Sequence, residues 1–204
     1  MARMTADRRR AAILDAALAV ARRKGLAATT VRDVAEEMGS SSGLVHHYFA
    51  SMDDVLAAAF ERVAADDLRR TADAVAAAAG AGGPEAALTA FFRAYAPADA
   101  DWAFQLWLDA WAEAARRPAL RATSQRLNLA WQGLVEGIVR EGVAAGRFHC
   151  PDPAAAAWRI ISVIDGLALQ VVAHGTVISR SDMVAWSALV AERELGLAGG
   201  SLAV

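Results

Sequence analysis

Ser41, Ser42, His46, His47 and Tyr48 place five hydrogen-bonding side chains in one short stretch, with Thr30 and Arg32 a little before them. Hydroxyl, imidazole and guanidinium groups clustered in this way can donate to phosphate oxygens and purine edges, and Leu44 offers an apolar contact to a thymine methyl. Such chemistry needs a rigid frame, which the neighbouring apolar residues supply. Val31, Val34, Met38, Val45 and Tyr48 fall on the inner faces of two short helices, and Ala35 is small enough to let those helices cross closely. Gly39 sits where the first helix must stop and reverse, a place that commonly needs the left-handed backbone region. Residues 29–49 therefore read as a helix-turn-helix, with 42–48 lying exposed for a DNA major groove and 31–38 bracing it. Ser41, Ser42 and the free N–H groups beginning the second helix would meet phosphate at the positive end of the helix dipole. The candidate DNA-contacting set is Thr30, Arg32, Ser41, Ser42, Gly43, Leu44, His46, His47 and Tyr48. Arg3 and Arg8, Arg9 and Arg10 are candidates for an arm reaching the minor groove, the alternative being a solubilising tail.

Other reactive residues do not assemble into a site. His46 and His47 are adjacent, so on a helix they point about 100° apart and cannot share one ligand face. His149, Cys150 and Asp152 lack a second set of ligands nearby in sequence and read as a polar turn. Ser40–Ser42 has neither the frame nor the acidic partner of a hydrolase nucleophile. No catalytic residue, metal site or cofactor is expected.

The elements that must carry the cluster are helical. The 204 residues are 56% hydrophobic, contain five prolines, and show no alternating β-branched run long enough for a sheet. The net charge of −2 hides an uneven distribution, with eight Arg or Lys against five acids in residues 1–48 and thirteen against eighteen in the rest. The single Cys150 rules out an intrachain disulfide and suits a reducing cytoplasm. Asp15 interrupts the apolar run that follows Arg8–Arg10, so the start reads as a folded helix in place of a signal peptide. The most apolar stretch, 160–173, contains Asp165, Gly166 and Gln170, and no membrane association is expected. Periodicity and capping residues give helices over 8–24, 31–38, 42–48, 52–79, 84–95, about 102–117, 118–146, 153–174 and 181–196. Gly80–Gly83 and 97–101 form breaks, Pro84 opens the fifth helix, and Ser181 caps the last. The expected fold is all-α, about nine helices.

The stretch 8–54 resembles the DNA-binding domain of the TetR family of bacterial one-component regulators. The resemblance rests on a leading helix with Ile13, Leu14, Ala17, Leu18 and Ala21 in one stripe, the run 30–35, the turn 39–41, the His47–Phe49 ending, and Ser51–Asp54 before a long helix. Ser40 and Met52 depart from the pattern, standing where an apolar residue and a phosphate-contacting lysine are common, which implies weaker backbone contact there. Trp107–Phe148 is similar, less specifically, to the effector domain of the family's choline-sensing, betaine-regulator branch.

The resemblance implies a DNA-binding domain over 1–50, an effector-binding and dimerisation domain over 51–197, and a flexible tail over 198–204. It implies a cytoplasmic repressor that binds a near-palindromic, double-stranded operator as a homodimer and is released by a small-molecule effector. It supports Thr30, His47 and Tyr48 as contacts to the DNA backbone. The last two helices are the expected dimer surface, through Trp158, Ile161, Ile164, Ala168, Val171, Val172, Val184, Leu189 and Leu195, the alternative being that these sides are intrachain core, as some must be. Phe92, Trp107, Trp111 and Trp131, with Asn128, Asp109 or Asp165 as polar partners, are candidates to line an effector pocket, the alternative being that the aromatic residues are only core. An aromatic wall with a carboxylate suits a cationic amine. The alternatives are an activator, a regulator controlled by a protein partner, and a small helical ligand carrier or enzyme.

Overall fold

Where a helix starts is set by which side chain can satisfy its first free N–H groups. In the computed structural model, which describes residues 5–95, 101–175 and 177–204, Thr5 caps α1 (Ala6–Lys24), accepting from the Arg8 N–H. Thr30 caps α2 (Val31–Glu37) in a reciprocal capping box with Asp33, and Ser41 precedes α3 (Ser42–Tyr48). The next element, α4 (Met52–Tyr95), is interrupted at Gly83, where φ is 76° and ψ −164°, and Pro84 follows the break. The sequence reading placed a wider gap at 80–83; three of those residues in fact continue the helix, so nine expected helices are seen as eight elements with one kink among the described residues. Beyond it lie α5 (Asp101–Ala114), α6 (Pro118–Ala144), α7 (Pro153–His174) and α8 (Arg180–Glu194). Asp152 caps α7 as its Asp-Pro sequence implies. The cap of α8 is Ser179, paired with Asp182, and not Ser181, because a capping box needs its acid three residues after the cap. The expected loop at 97–101 falls almost wholly outside the described residues.

Two compact units emerge, and neither follows a single stretch of chain. The first unites the described residues up to Ala65 with Gln105–Leu127; the second unites the described residues of 66–104 with 128–204. The elements α4, α5 and α6 contribute to both. In the first unit α1 packs on α2 and α2 on α3. Ile13, Leu14, Ala17, Leu18 and Ala21, the stripe expected of α1, are all buried, together with Val34, Ala35, Val45, Phe49, Val55, Leu56 and Phe60. Phe60 meets Trp107 edge to face with ring centroids 4.8 Å apart, and Trp107 in turn lies 5.6 Å from Trp111.

The second unit is built on α7 and α8, which pack together, with Leu88, Phe91, Phe92, Val135, Ile160, Ile164, Met183 and Leu195 in its core. By length and composition α7 is apolar enough to cross a membrane, which the sequence reading did not anticipate because it counted uninterrupted apolar residues. Much of that apolarity serves packing, since Ala156, Ala157, Ile160, Ile161, Ile164 and Ala168 are buried. The expected flexible tail at 198–204 is instead docked. The buried Glu192 carboxylate accepts the N–H groups of Gly200 (3.0 Å) and Leu202 (2.8 Å), Leu202 is buried, and Arg93 donates to the Ala203 carbonyl. Residues beyond the last helix are expected to fray, but a buried carboxylate with two backbone donors is a tertiary feature that local sequence does not reveal.

Candidate functional site

The two short helices of the first unit meet at a turn that only a few residues can make. At Gly39 φ is +60°, as its place in the sequence implies, and the Ser40 N–H donates back to the Ala35 carbonyl at 2.9 Å. The Ser40 hydroxyl follows the same route to Ala35 O, so the polar residue at this turn is satisfied locally. Val45 is the buried residue of α3, held against the frame that Val34 and Ala35 help to form. Val31, Met38 and Tyr48, expected on the inner faces, are half-buried. The outer side of α3 is open. Ser41, Ser42, Gly43, His46 and His47 are exposed and Leu44 is half-buried. Ser41 makes no side-chain cap bond to α3, leaving its hydroxyl uncommitted to the helix.

Other members of the candidate set have structural duties. The Thr30 hydroxyl and amide are engaged with Asp33 in the capping box. Asp33 is also paired with Lys24; the Lys24 ammonium first, and the Thr30 hydroxyl and amide next, hold its carboxyl at about 2. Its ordinary value is 3.8, so the stabilisation from these bonds is present above that pH and disappears as pH falls toward 2. Arg32 pairs with Glu36 at 2.8 Å, and both side chains are largely in water. Ser51 and Asp54 cap the start of α4, while Met52 is half-buried.

Of the arginines read as either a minor-groove arm or a solubilising tail, Arg8, Arg9 and Arg10 are described. They are helical, and the exposed Arg10 reaches across to α3: its guanidinium lies 4.1 Å over the Phe49 ring and donates to the Tyr48 carbonyl at 3.3 Å. Arg10 and Phe49 thus fasten the end of α3 to α1. Charge alone could not distinguish this from an arm, because the partner is an aromatic ring far along the chain. Arg3 lies outside the described residues.

The candidate effector residues divide between the two units. Trp107 and Trp111 belong to the first, where Trp107 packs on Phe60. Phe92, Asn128, Trp131 and Asp165 belong to the second; Phe92 is fully buried core and Asn128 half-buried. In that unit Trp131 lies 5.4 Å from Tyr95 and 6.3 Å from Phe91, and Phe91 lies 5.6 Å from Tyr95. The Tyr95 hydroxyl donates to the Asp165 carboxylate. Sequence reasoning missed Tyr95, although its position four residues after Phe91 puts both on one helix face.

Burial pushes the Asp165 carboxyl up to about 6, against the lowering effect of the Tyr95 hydrogen bond. Burial, and next the Asp165 charge, push the Tyr95 phenol well above its usual value. Between the ordinary 3.8 and about 6, folded Asp165 keeps a proton that the unfolded chain has released. Its contribution to stability therefore falls as pH rises through this window, by at most about 3 kcal/mol. Urea unfolding from pH 4 to 7 should show this decline in the wild type and a flatter profile in Asp165→Asn. Parallel profiles would remove Asp165 as its source.

An exposed recognition helix braced by a capped second helix, joined to a helical bundle with a buried aromatic and acidic cluster, defines a helical DNA-binding regulator of two parts. Comparison with known proteins specifies the family. Residues 13–59 match the model of bacterial regulatory proteins of the tetR family, and residues 84–196 match that of the BetI-type transcriptional repressor C-terminal domain. Because the second match alone spans more than half of the chain, the protein belongs to the TetR family, in its BetI-type group. The family consists of transcription regulators, not enzymes.

Curated relatives include the BetI regulators of Agrobacterium fabrum, 43% identical over 40% of this chain and 38% of that protein, and of Paraburkholderia xenovorans, 34% identical over 55% and 58%. YfiR of Bacillus subtilis, another helix-turn-helix regulator, is 42% identical over 31% of each. The matches therefore span about a third to three-fifths of these relatives' lengths. Among solved structures, a transcriptional regulator from Pseudomonas aeruginosa PAO1 superposes with a TM-score of 0.82 at 25% identity, over 94% of this chain and 92% of that one. One from Saccharomonospora viridis in complex with choline gives 0.80 at 24%, over 93% and 98%, a likeness of fold.

Proposed function

We propose that this chain is a cytoplasmic repressor that binds a near-palindromic operator as a homodimer and releases it when a cationic amine binds the second unit. The observation that carries the reading is the outer face of α3, where Ser41, Ser42, Gly43, His46 and His47 stand exposed while Val45 anchors the helix. Ser41, Ser42 and Tyr48 supply backbone contacts in this reading, with Leu44, His46 and His47 at base edges. The Arg32–Glu36 pair, lying in water, is weak enough to yield to a phosphate. Thr30 acts chiefly through its cap.

For the dimer, α7 and α8 leave Trp158, Leu169, Trp186 and Leu189 exposed, a set of large apolar side chains that a second copy would cover. Ile161, Ile164 and Ala168 of α7 and Leu195 at the end of α8, named from the sequence at this surface, are buried within the chain, in their own unit's core. For the effector, Tyr95, Trp131 and Phe91 beside Asp165 combine aromatic rings with a carboxylate whose charge burial disfavours. A cation would relieve that cost and meet the ring faces. The choline bound by the Saccharomonospora viridis regulator supports this ligand class.

The test is selection of fragmented genomic DNA of the source organism at two salt concentrations, followed by titration with choline chloride. An enriched inverted repeat whose retention falls steeply with salt, and which choline releases, is the expected result. No enriched sequence would overturn the DNA reading. Release by choline that persists in Trp131→Ala and Asp165→Asn would overturn the effector site.

A further inference from the structure

Asp109 lies in α5, within the stretch matched by the BetI-type C-terminal model, yet it belongs to the compact unit that carries the helix-turn-helix. Its Oδ2 accepts the N–H of Leu26 at 3.0 Å, and its Oδ1 accepts from Gln105 Nε2 at 3.1 Å. Leu26 is buried in the turn between α1 and α2, so this carboxylate takes a donor from a backbone 83 residues earlier in the chain. Gly25 makes room for it. Its φ is +80°, and a Cβ there would stand 3.2 Å from the same Oδ2, tighter than ordinary contact.

The turn held at Leu26 leads directly into α2. The Thr29 N–H donates to the Leu26 carbonyl at 3.2 Å, and its hydroxyl donates to the Gly25 carbonyl at 2.7 Å. Thr30 follows with its capping box, and Lys24 at the end of α1 pairs with the same Asp33. The placement of Leu26 therefore fixes where α2 starts, and α2 carries α3 through the Gly39 turn.

We infer that Asp109 is a positioning residue for DNA binding: its carboxylate fixes the turn between α1 and α2, and so sets α3 without touching DNA. A hydrogen bond to a carboxylate is stronger than a neutral one, which suits a single fastening point. Without it the turn samples other arrangements, and operator affinity falls by the fraction of time spent outside the competent one. The DNA-reading unit is accordingly discontinuous in sequence, with α5 one of its parts.

The inference rests on the DNA reading proposed above. Its test uses the full chain and the operator recovered by selection, comparing wild type, Asp109→Ala and Asp109→Asn well below their unfolding midpoints. Asp109→Ala should lose about tenfold in affinity. The salt dependence should not change, because no phosphate contact is removed. The Leu26 amide should exchange hydrogen faster by a similar factor. Asp109→Asn, which keeps an oxygen to accept the Leu26 N–H but lacks its charge, should lose a smaller share, about threefold in affinity. If Asp109→Ala does not fold, a severalfold loss in affinity and faster Leu26 exchange in folded Asp109→Asn would support the role; wild-type values for both would overturn it. Affinity of folded Asp109→Ala within twofold of wild type would overturn it, as would a lowered salt slope or equal impairment of both variants. A wild-type chain that binds no fragment would sink the DNA reading itself.

Discussion

Gly43→Glu should reduce operator affinity by about a hundredfold or more while leaving the fold intact. Gly43 is exposed on α3, and a Cβ added there would find its nearest neighbour, Ser41 Oγ, at an ordinary 3.7 Å. The protein thus gives no steric reason for glycine, which costs a helix interior about 0.5–1 kcal/mol relative to alanine. A carboxylate in the first turn also faces the favourable end of the helix dipole. Stability should therefore hold or rise. Against DNA the same carboxylate meets phosphates, and a like-charge contact of about 2.7 kcal/mol corresponds to a hundredfold. An operator titration run beside a thermal melt checks both halves. Unchanged affinity in a folded variant would place DNA somewhere other than on the start of α3.

The largest expected loss of stability comes from Phe60→Ala. Phe60 has 0% exposure and lies edge to face on Trp107 with ring centroids 4.8 Å apart. Removing it forfeits the buried ring and leaves a cavity, together worth about 3–5 kcal/mol. Against a total stability of about 5–15 kcal/mol for ordinary proteins, that is a large fraction. The urea midpoint of the variant should drop accordingly, and operator binding should fail at a lower temperature than in wild type. A loss below about 1 kcal/mol would mean that the surrounding helices close over the gap.

Local physics explains which features were legible in the sequence. The helix-turn-helix could be read because its determinants lie within about twenty residues: the Val34, Ala35 and Val45 core, the left-handed Gly39, and the polar exterior of α3. The α7 cap at Asp152 and the break before Pro84 are likewise nearest-neighbour effects. Features were not legible where a residue had a distant partner. Arg10 reads as part of an arm or of a solubilising tail, and its contacts to the Phe49 ring and the Tyr48 carbonyl are not visible in its neighbours along the chain. Which apolar positions of α7 serve the chain's own core and which a second copy is open in the sequence, because periodicity reports that a face is buried but not against what. The tail looked frayed because Glu192, its anchor, gives no local sign of receiving it.

The sequence by itself determined the helices, the DNA-reading motif and the family resemblance, since spacing, capping and turn residues act over a few positions. Tertiary structure alone decided that Tyr95 joins Asp165, that Trp107 packs on Phe60, and that Asp109 reaches Leu26. A carboxylate does not encode which of many donors it will meet; that choice is made by the packing of helices that are far apart in the chain and close in space.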